Sequence, residues 1–223
     1  MSARDRAGSL GRAARWVGLL AVAGNLLGVG FLWNVPSPYR PGDLAAWRGG
    51  LLAHPVEAIL SATTFTMGLV LIAVFAALLA AAARAERPGW LLAGAALIAG
   101  GALLDAAGTL APVVVVRFLP GGEGSARVGE ALLALTLLLD SMFNVLLGLG
   151  LTAVSASLGR SSGWPGWHRA LGVVAGLASI PVGLQAFSDA FARMLALTAP
   201  LWLAWIAAAS LSRLWTGREP PAP

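Results

Sequence analysis

The sequence predicts an all-α polytopic membrane protein: a six-transmembrane-helix bundle with both termini cytoplasmic. Three observations carry that prediction. The 223 residues are 58% hydrophobic and only 11% charged, whereas soluble domains carry about a quarter charged residues. Apolar runs long enough to cross a bilayer, about 20 residues at 1.5 Å rise each, recur six times. Arginine is concentrated on alternate connections between those runs, the pattern that sets orientation.

Taken in order, a polar start with Arg4, Arg6, Arg12 and Arg15 leads into a first span over 16–33. Charge followed by an apolar run is also the form of a signal peptide, but here the run continues well past the small-residue triplet Ala21-Val22-Ala23, which argues for a retained helix. Gly24 and Gly28 form a GxxxG pair that permits close helix approach. Residues 34–55 hold four prolines and the pair Tyr39-Arg40, and read as a loop with one interfacial turn around Leu44 to Trp47. The second span, 56–83, carries Ser61, Thr63, Thr64 and Thr66 in its first half. A short loop with Arg84, Glu86, Arg87 and Pro88 leads to the third span, 90–116, in which Asp105 and Thr109 share a face. A Gly-rich turn then returns the chain into the fourth span, 130–158, where Asp140 and Asn144 stand one turn apart. The fifth span, 170–187, ends near Gln185. Ser188 or Asp189 caps the sixth, 191–214, which is interrupted by Pro200.

Every basic residue is Arg, a bias that reads as bacterial codon usage. With the N-terminus inside, Arg4, Arg6, Arg12, Arg15, Arg84, Arg87, Arg160, Arg169, Arg213 and Arg218 are cytoplasmic, against Arg40, Arg48, Arg117, Arg127 and Arg193 outside. That two-to-one excess, and the even number of spans, agree on both termini inside the bacterial cytoplasmic (inner) membrane. Trp16, Trp90, Trp164, Trp167 and Trp215 then form an inner aromatic belt, with Trp33 and Trp47 at the outer surface. The sequence pI near 11.4 therefore reflects topology signals, and nucleic acid is not an expected partner.

Composition also limits the chemistry. Without lysine there is no Schiff base to retinal or pyridoxal phosphate, and without cysteine there is no disulfide, iron–sulfur cluster or thiolate metal site. His54 and His168 fall at opposite ends of the bundle and cannot share a metal or a haem. No P-loop, GxSxG, HExxH or CxxC occurs. No cofactor and no metal site is expected.

The chemistry-bearing residues lie inside the spans. A carboxylate among Leu, Ala, Val and Gly needs a partner, a cavity or a proton. Counting from the outer helix ends puts Asp105 and Asp140 at nearly the same depth, with Asn25 and Thr63 to Thr66 at about that level, and Gln185 and Asp189 nearer the outer surface. The candidate ligand-binding set is Asp105, Asp140, Asn144, Asn25 and Thr109, with Trp202 and Trp205 as a wall for an apolar or cationic ligand. Two such acids, dry and close, cannot both ionise at neutral pH. The competing reading is structural: each acid is hydrogen-bonded to Asn144, Thr109 or Asn25 and simply ties helices together.

The segment SLGRSSGWPGWHRALGVVAGLASIPVGLQ, followed by LTAPLWLAWIAAASLSRLW, resembles the C-terminal half of a family of uncharacterised bacterial multi-pass membrane proteins, a domain-of-unknown-function group. The shared features are a short basic loop with Pro and Trp (Arg160 to Arg169) before a Gly-rich helix, and a final helix in which Pro200 precedes a Trp-containing stretch. The resemblance implies a multi-pass architecture and no catalytic residues. Function therefore divides three ways: a small ligand-binding or transport protein using the acids; a non-catalytic subunit or assembly factor of a membrane complex; or a membrane-embedded enzyme on a prenyl-type substrate, an Asp donating the proton and both tryptophans stabilising cationic charge. The first is the preferred reading, with the bilayer, a small or lipid-soluble ligand and a membrane-protein partner as the expected contacts. Catalysis is the least supported.

Overall fold

The computed structural model describes residues 3–32, 43–83, 85–158 and 163–212, with side chains from residue 9 onward and without that of Asp189. Tyr39, Arg40, Trp33, Arg84, Arg160, Arg213, Trp215 and Arg218 lie outside the described residues. No strand occurs among those described. In chain order the helices are α1 (Ala3–Leu32), α2 (Leu44–Ala53), α3 (Pro55–Ala82), α4 (Pro88–Gly108), α5 (Ala111–Phe118), α6 (Glu123–Ser157), α7 (Gly166–Val182) and α8 (Asp189–Leu211). Six stretches among them are long and apolar enough to cross a membrane: Ser9–Leu32, Pro55–Ala82, Pro88–Phe118, Glu123–Ser157, Gly166–Phe187 and Ala190–Leu211. The all-α, six-span membrane architecture is thus the one the apolar runs predict.

The helices begin where local chemistry allows. Pro55, Pro88 and Pro112 open α3, α4 and α5, positions where a missing N–H costs no helical bond. Asp43 caps α2 by accepting from the Ala46 N–H at 3.2 Å, and Ser188 caps α8 by accepting from the Ala190 N–H. Large apolar side chains such as Leu27, Met67, Leu92, Leu138, Val174 and Leu197 are exposed on the outside of the bundle. That is the pattern for contact with acyl chains.

Glycine seams set the tight packing. A Cβ on Gly24 would stand 3.1 Å from Gly68 Cα, joining α1 to α3. One on Gly94 would stand 2.7 Å from the Gly150 carbonyl, joining α4 to α6, and one on Gly148 only 2.6 Å from the Gly176 carbonyl, joining α6 to α7. These contacts run backbone to backbone, which is how membrane helices gain dispersion energy without a hydrophobic driving force.

Four expectations change. The third span is not continuous: it breaks at Thr109 and Leu110, because Pro112 cannot donate to the preceding turn. The long loop contains a ten-residue helix, α2, in place of a single turn. Its Trp47, Gly50 and Leu51 are buried, and Arg48 Nη2 donates to the Leu119 carbonyl at 3.0 Å, tying α2 across the end of α5. The fifth span reaches Phe187 as expected but is not one α-helix: α7 ends at Val182, after Pro181, and a 3-10 turn (Gln185–Phe187) leads into α8. Of the aromatic belt, Trp16, Trp90 and Trp167 are exposed, but Trp164 and Trp47 are buried in packing.

Candidate functional site

The acids sit where α4 and α6 run antiparallel in a fixed register. Thr136 of α6 donates to the Gly108 carbonyl of α4 at 3.0 Å, and on the other side Gly101 faces Phe143. Asp105 and Asp140 fall between these two levels, so they stand at the same height.

Their surroundings differ. Asp140 is held on both oxygens: Asn144 Nδ2 donates to Oδ1 at 3.0 Å and Gln185 Nε2 donates to Oδ2 at 2.7 Å. Asn144 is fully buried behind it and also donates to the Asp140 carbonyl. Asp105 is 6% exposed, and its carboxyl makes no hydrogen bond to any described residue. It lies in the last turn of α4, immediately before the break. Next to it Thr109 Oγ1 donates to the Ala106 carbonyl at 3.0 Å and lies 2.8 Å from Thr66 Oγ1, joining α4 to α3.

Both acids line a cavity of about 1560 Å³. Its walls come from α1, α2, α3, α4, α5, α6 and α8, and they are mostly apolar. Asn25 lines it from α1, with its amide donating to the Ala21 carbonyl at 2.9 Å. Ser61 lines it from α3 and donates to the Gly28 carbonyl at 2.9 Å. Trp202 forms part of the wall and meets Phe143 edge-on at 6.1 Å between ring centroids.

Of the seven candidate residues, the structure brings five to the cavity: Asp105, Asp140, Asn25, Thr109 and Trp202. Asn144 supports Asp140 from behind. Trp205 is elsewhere: it packs between Phe75, Trp164 and His168, with the His168 ring stacked at 5.2 Å. The proposed tryptophan pair is therefore one wall residue and one core residue. Thr63 and Thr64 bond carbonyls of their own helix, whereas Ser61 and Thr66 reach across to neighbours. Gln185 stands against Asp140, because α7 stops short and the 3-10 turn after it brings Gln185 to the level of the acids.

Sequence reasoning missed two ionisable wall residues, His54 and Arg193. The first was an isolated histidine and the second a topology signal. Only the α2–α3 junction, and the approach of the start of α8 to the cavity, give them a role. No protein-family model matches this chain, and no curated protein or solved structure is significantly similar to it. Function rests on the geometry.

Proposed function

We propose that this is a multi-pass membrane protein that binds a small or lipid-soluble ligand in its intramembrane cavity, as a binding or transport protein does. The observation that carries this reading is Asp105. A carboxyl nine-tenths buried, lining a cavity and without a donor among the described residues costs several kcal/mol of desolvation, roughly, unless something else satisfies it. Asp140, by contrast, is braced by two amides, so the pair offers one preorganised acceptor and one free one. A purely structural role for Asp105 would have given it a partner.

The test uses protein purified in mild detergent and examined by native mass spectrometry and thermal melting. Asp105→Asn keeps shape and removes charge, so it is expected to melt close to the parent and to lose copurifying small-molecule mass. Unfolding, or an unchanged bound fraction, overturns the reading and favours a partner-binding subunit.

For orientation, the arginine excess supports both termini in the cytoplasm of a bacterial cell, with the cavity in the outer half. The chain has no cysteine, so single thiols report cleanly. Gly89 and Gly121 have open space around a built Cβ. On whole cells an impermeant maleimide is expected to label Gly121→Cys and not Gly89→Cys; the reverse result inverts the topology.

A further inference from the structure

We propose that the ligand is an amphiphilic organic cation that reaches Asp105 and Asp140 sideways from the bilayer, between α1 and α8. This rests on the ligand-binding reading above and adds to it the chemical class and the route.

The class follows from what surrounds the acids. The donors on Asp140 are neutral amides, and Asp105 has none, so no cation within the described residues compensates them. Arg193 lines the cavity, but it sits in the second turn of α8, exposed, and already has a partner of its own. From there to Pro200 is about 10 Å along the helix. His54 lies at the opposite rim, where α2 meets α3. The cavity also gathers Trp47, Phe65, Phe143 and Trp202. Carboxyls together with aromatic faces in a water-poor site favour a positive charge over a neutral or negative one. The cavity, about 1560 Å³, far exceeds what an ammonium head needs, and its remaining lining suits an apolar body.

The route follows from which lining residues are exposed. Asn25, Asp105, Thr136, Phe143 and Trp202 line the cavity and are buried. Leu26 and Val29 on α1, and Ala196, Pro200 and Ala204 on α8, line it and are exposed. Closer to the other end of the bundle the two helices meet, with Gly18 against Ser210. They part as α1 continues toward Leu32, and the opening lies between them. At the Leu32 end the cavity is roofed by α2, whose Trp47 and Leu51 are buried while lining it. The open side thus faces acyl chains. The small side chains of Ala196, Pro200 and Ala204 leave the gap unobstructed, and Asp105, unpartnered among the described residues, gives it a target.

The probe is tetraphenylphosphonium, with tetraphenylborate as a competitor of the same shape and opposite charge. Binding is measured on protein in phosphatidylcholine nanodiscs against empty discs. The expected result is saturable binding of the phosphonium, no competition by the borate, and at least about tenfold weaker binding in Asp105→Asn, a factor equivalent to one step of 1.4 kcal/mol. Ala204→Trp, with Leu26→Trp as a second plug, is expected to slow association at least about fivefold, because it narrows the side opening and leaves the acids in place. Unchanged association in both plugged variants overturns the route. No binding above empty discs, or equal competition by the borate, overturns the cationic class. If in that case Asp105→Asn still strips a copurifying neutral lipid, the ligand-binding reading survives and only this inference falls. If nothing bound depends on Asp105, both fall.

Discussion

Two regions of this bundle hold buried polar and aromatic side chains, and they behave in opposite ways. Where α7 begins and α8 ends, His168 Nε2 lies 3.1 Å from the Trp205 carbonyl, and its ring packs against Trp164 at 4.5 Å and Trp205 at 5.2 Å between centroids. A carbonyl cannot donate, so Nε2 carries the proton of that bond. Around the acids, by contrast, polar groups from α1, α3, α4 and α6 converge on open volume. The lesson is that a buried polar residue marks a site only when it faces space without a protein partner. His168 bonds Trp205 through Nε2 and keeps a buried, unpartnered Nδ1 enclosed by packed rings, whereas Asp105, with no hydrogen bond to a described residue, faces the cavity.

Five substitutions test that contrast, the largest effect first. Trp205→Ala removes the hub of the packed region and is expected to cost about 3–5 kcal/mol in thermal or denaturant unfolding; Trp202→Ala, three residues away but on a cavity wall, is expected to cost less than half as much. Equal costs would erase the distinction between the regions. Gly148→Ala pushes a methyl against the Gly176 backbone, which cannot move aside as a flexible side chain would. About 1–3 kcal/mol is expected from strain, and a neutral result would mean the seam is looser than its geometry. Asp140→Asn exchanges one charged acceptor for an amide facing the amides of Asn144 and Gln185. Rotation of Gln185 recovers one bond, so a cost of about 1–2 kcal/mol is expected, read as a shift in melting temperature. Asp105→Asn breaks no hydrogen bond to a described residue, and stability is expected to change by less than about 1 kcal/mol. A larger loss would show that Asp105 has a structural partner after all.

Much of this was readable beforehand, for physical reasons. Helices rise uniformly, so counting residues from the ends of apolar runs placed Asp105 and Asp140 at one height, and the Thr136 to Gly108 register agrees. The i to i+4 spacing put Asn144 against Asp140. Hydropathy, however, does not say where a helix stops inside an apolar run. The break beside Thr109 was signalled only by Pro112, which restricts the residue before it. The early end of α7 was signalled by Pro181 and Gly183, and without it the contact of Gln185 with Asp140 was not foreseen. Nor does composition tell a tryptophan at the lipid interface from one in the core. Trp164 and Trp167 are close in sequence, yet one is buried and the other 61% exposed. Closing the cavity took contacts between helices far apart in the chain, which no local pattern encodes.

The length of α6 fixes how deep the acids lie. Its last residue, Ser157, accepts from the Glu86 and Arg87 backbone N–H groups of the α3–α4 connection, at the end of the bundle where Trp90 and Trp167 are exposed as interfacial anchors. From Ser157 back to Asp140 is about 26 Å of helix, and from Asp140 on to Glu123 it is about the same again. At 35 residues α6 is longer than a hydrocarbon layer about 30 Å thick, so it extends beyond that layer. Asp140 is its middle residue, and Asp105 is held at the same level, so both acids are as far as this helix allows from either of its ends. The cavity wall is polar at that level and turns apolar along Ala204 and Ala207 of α8.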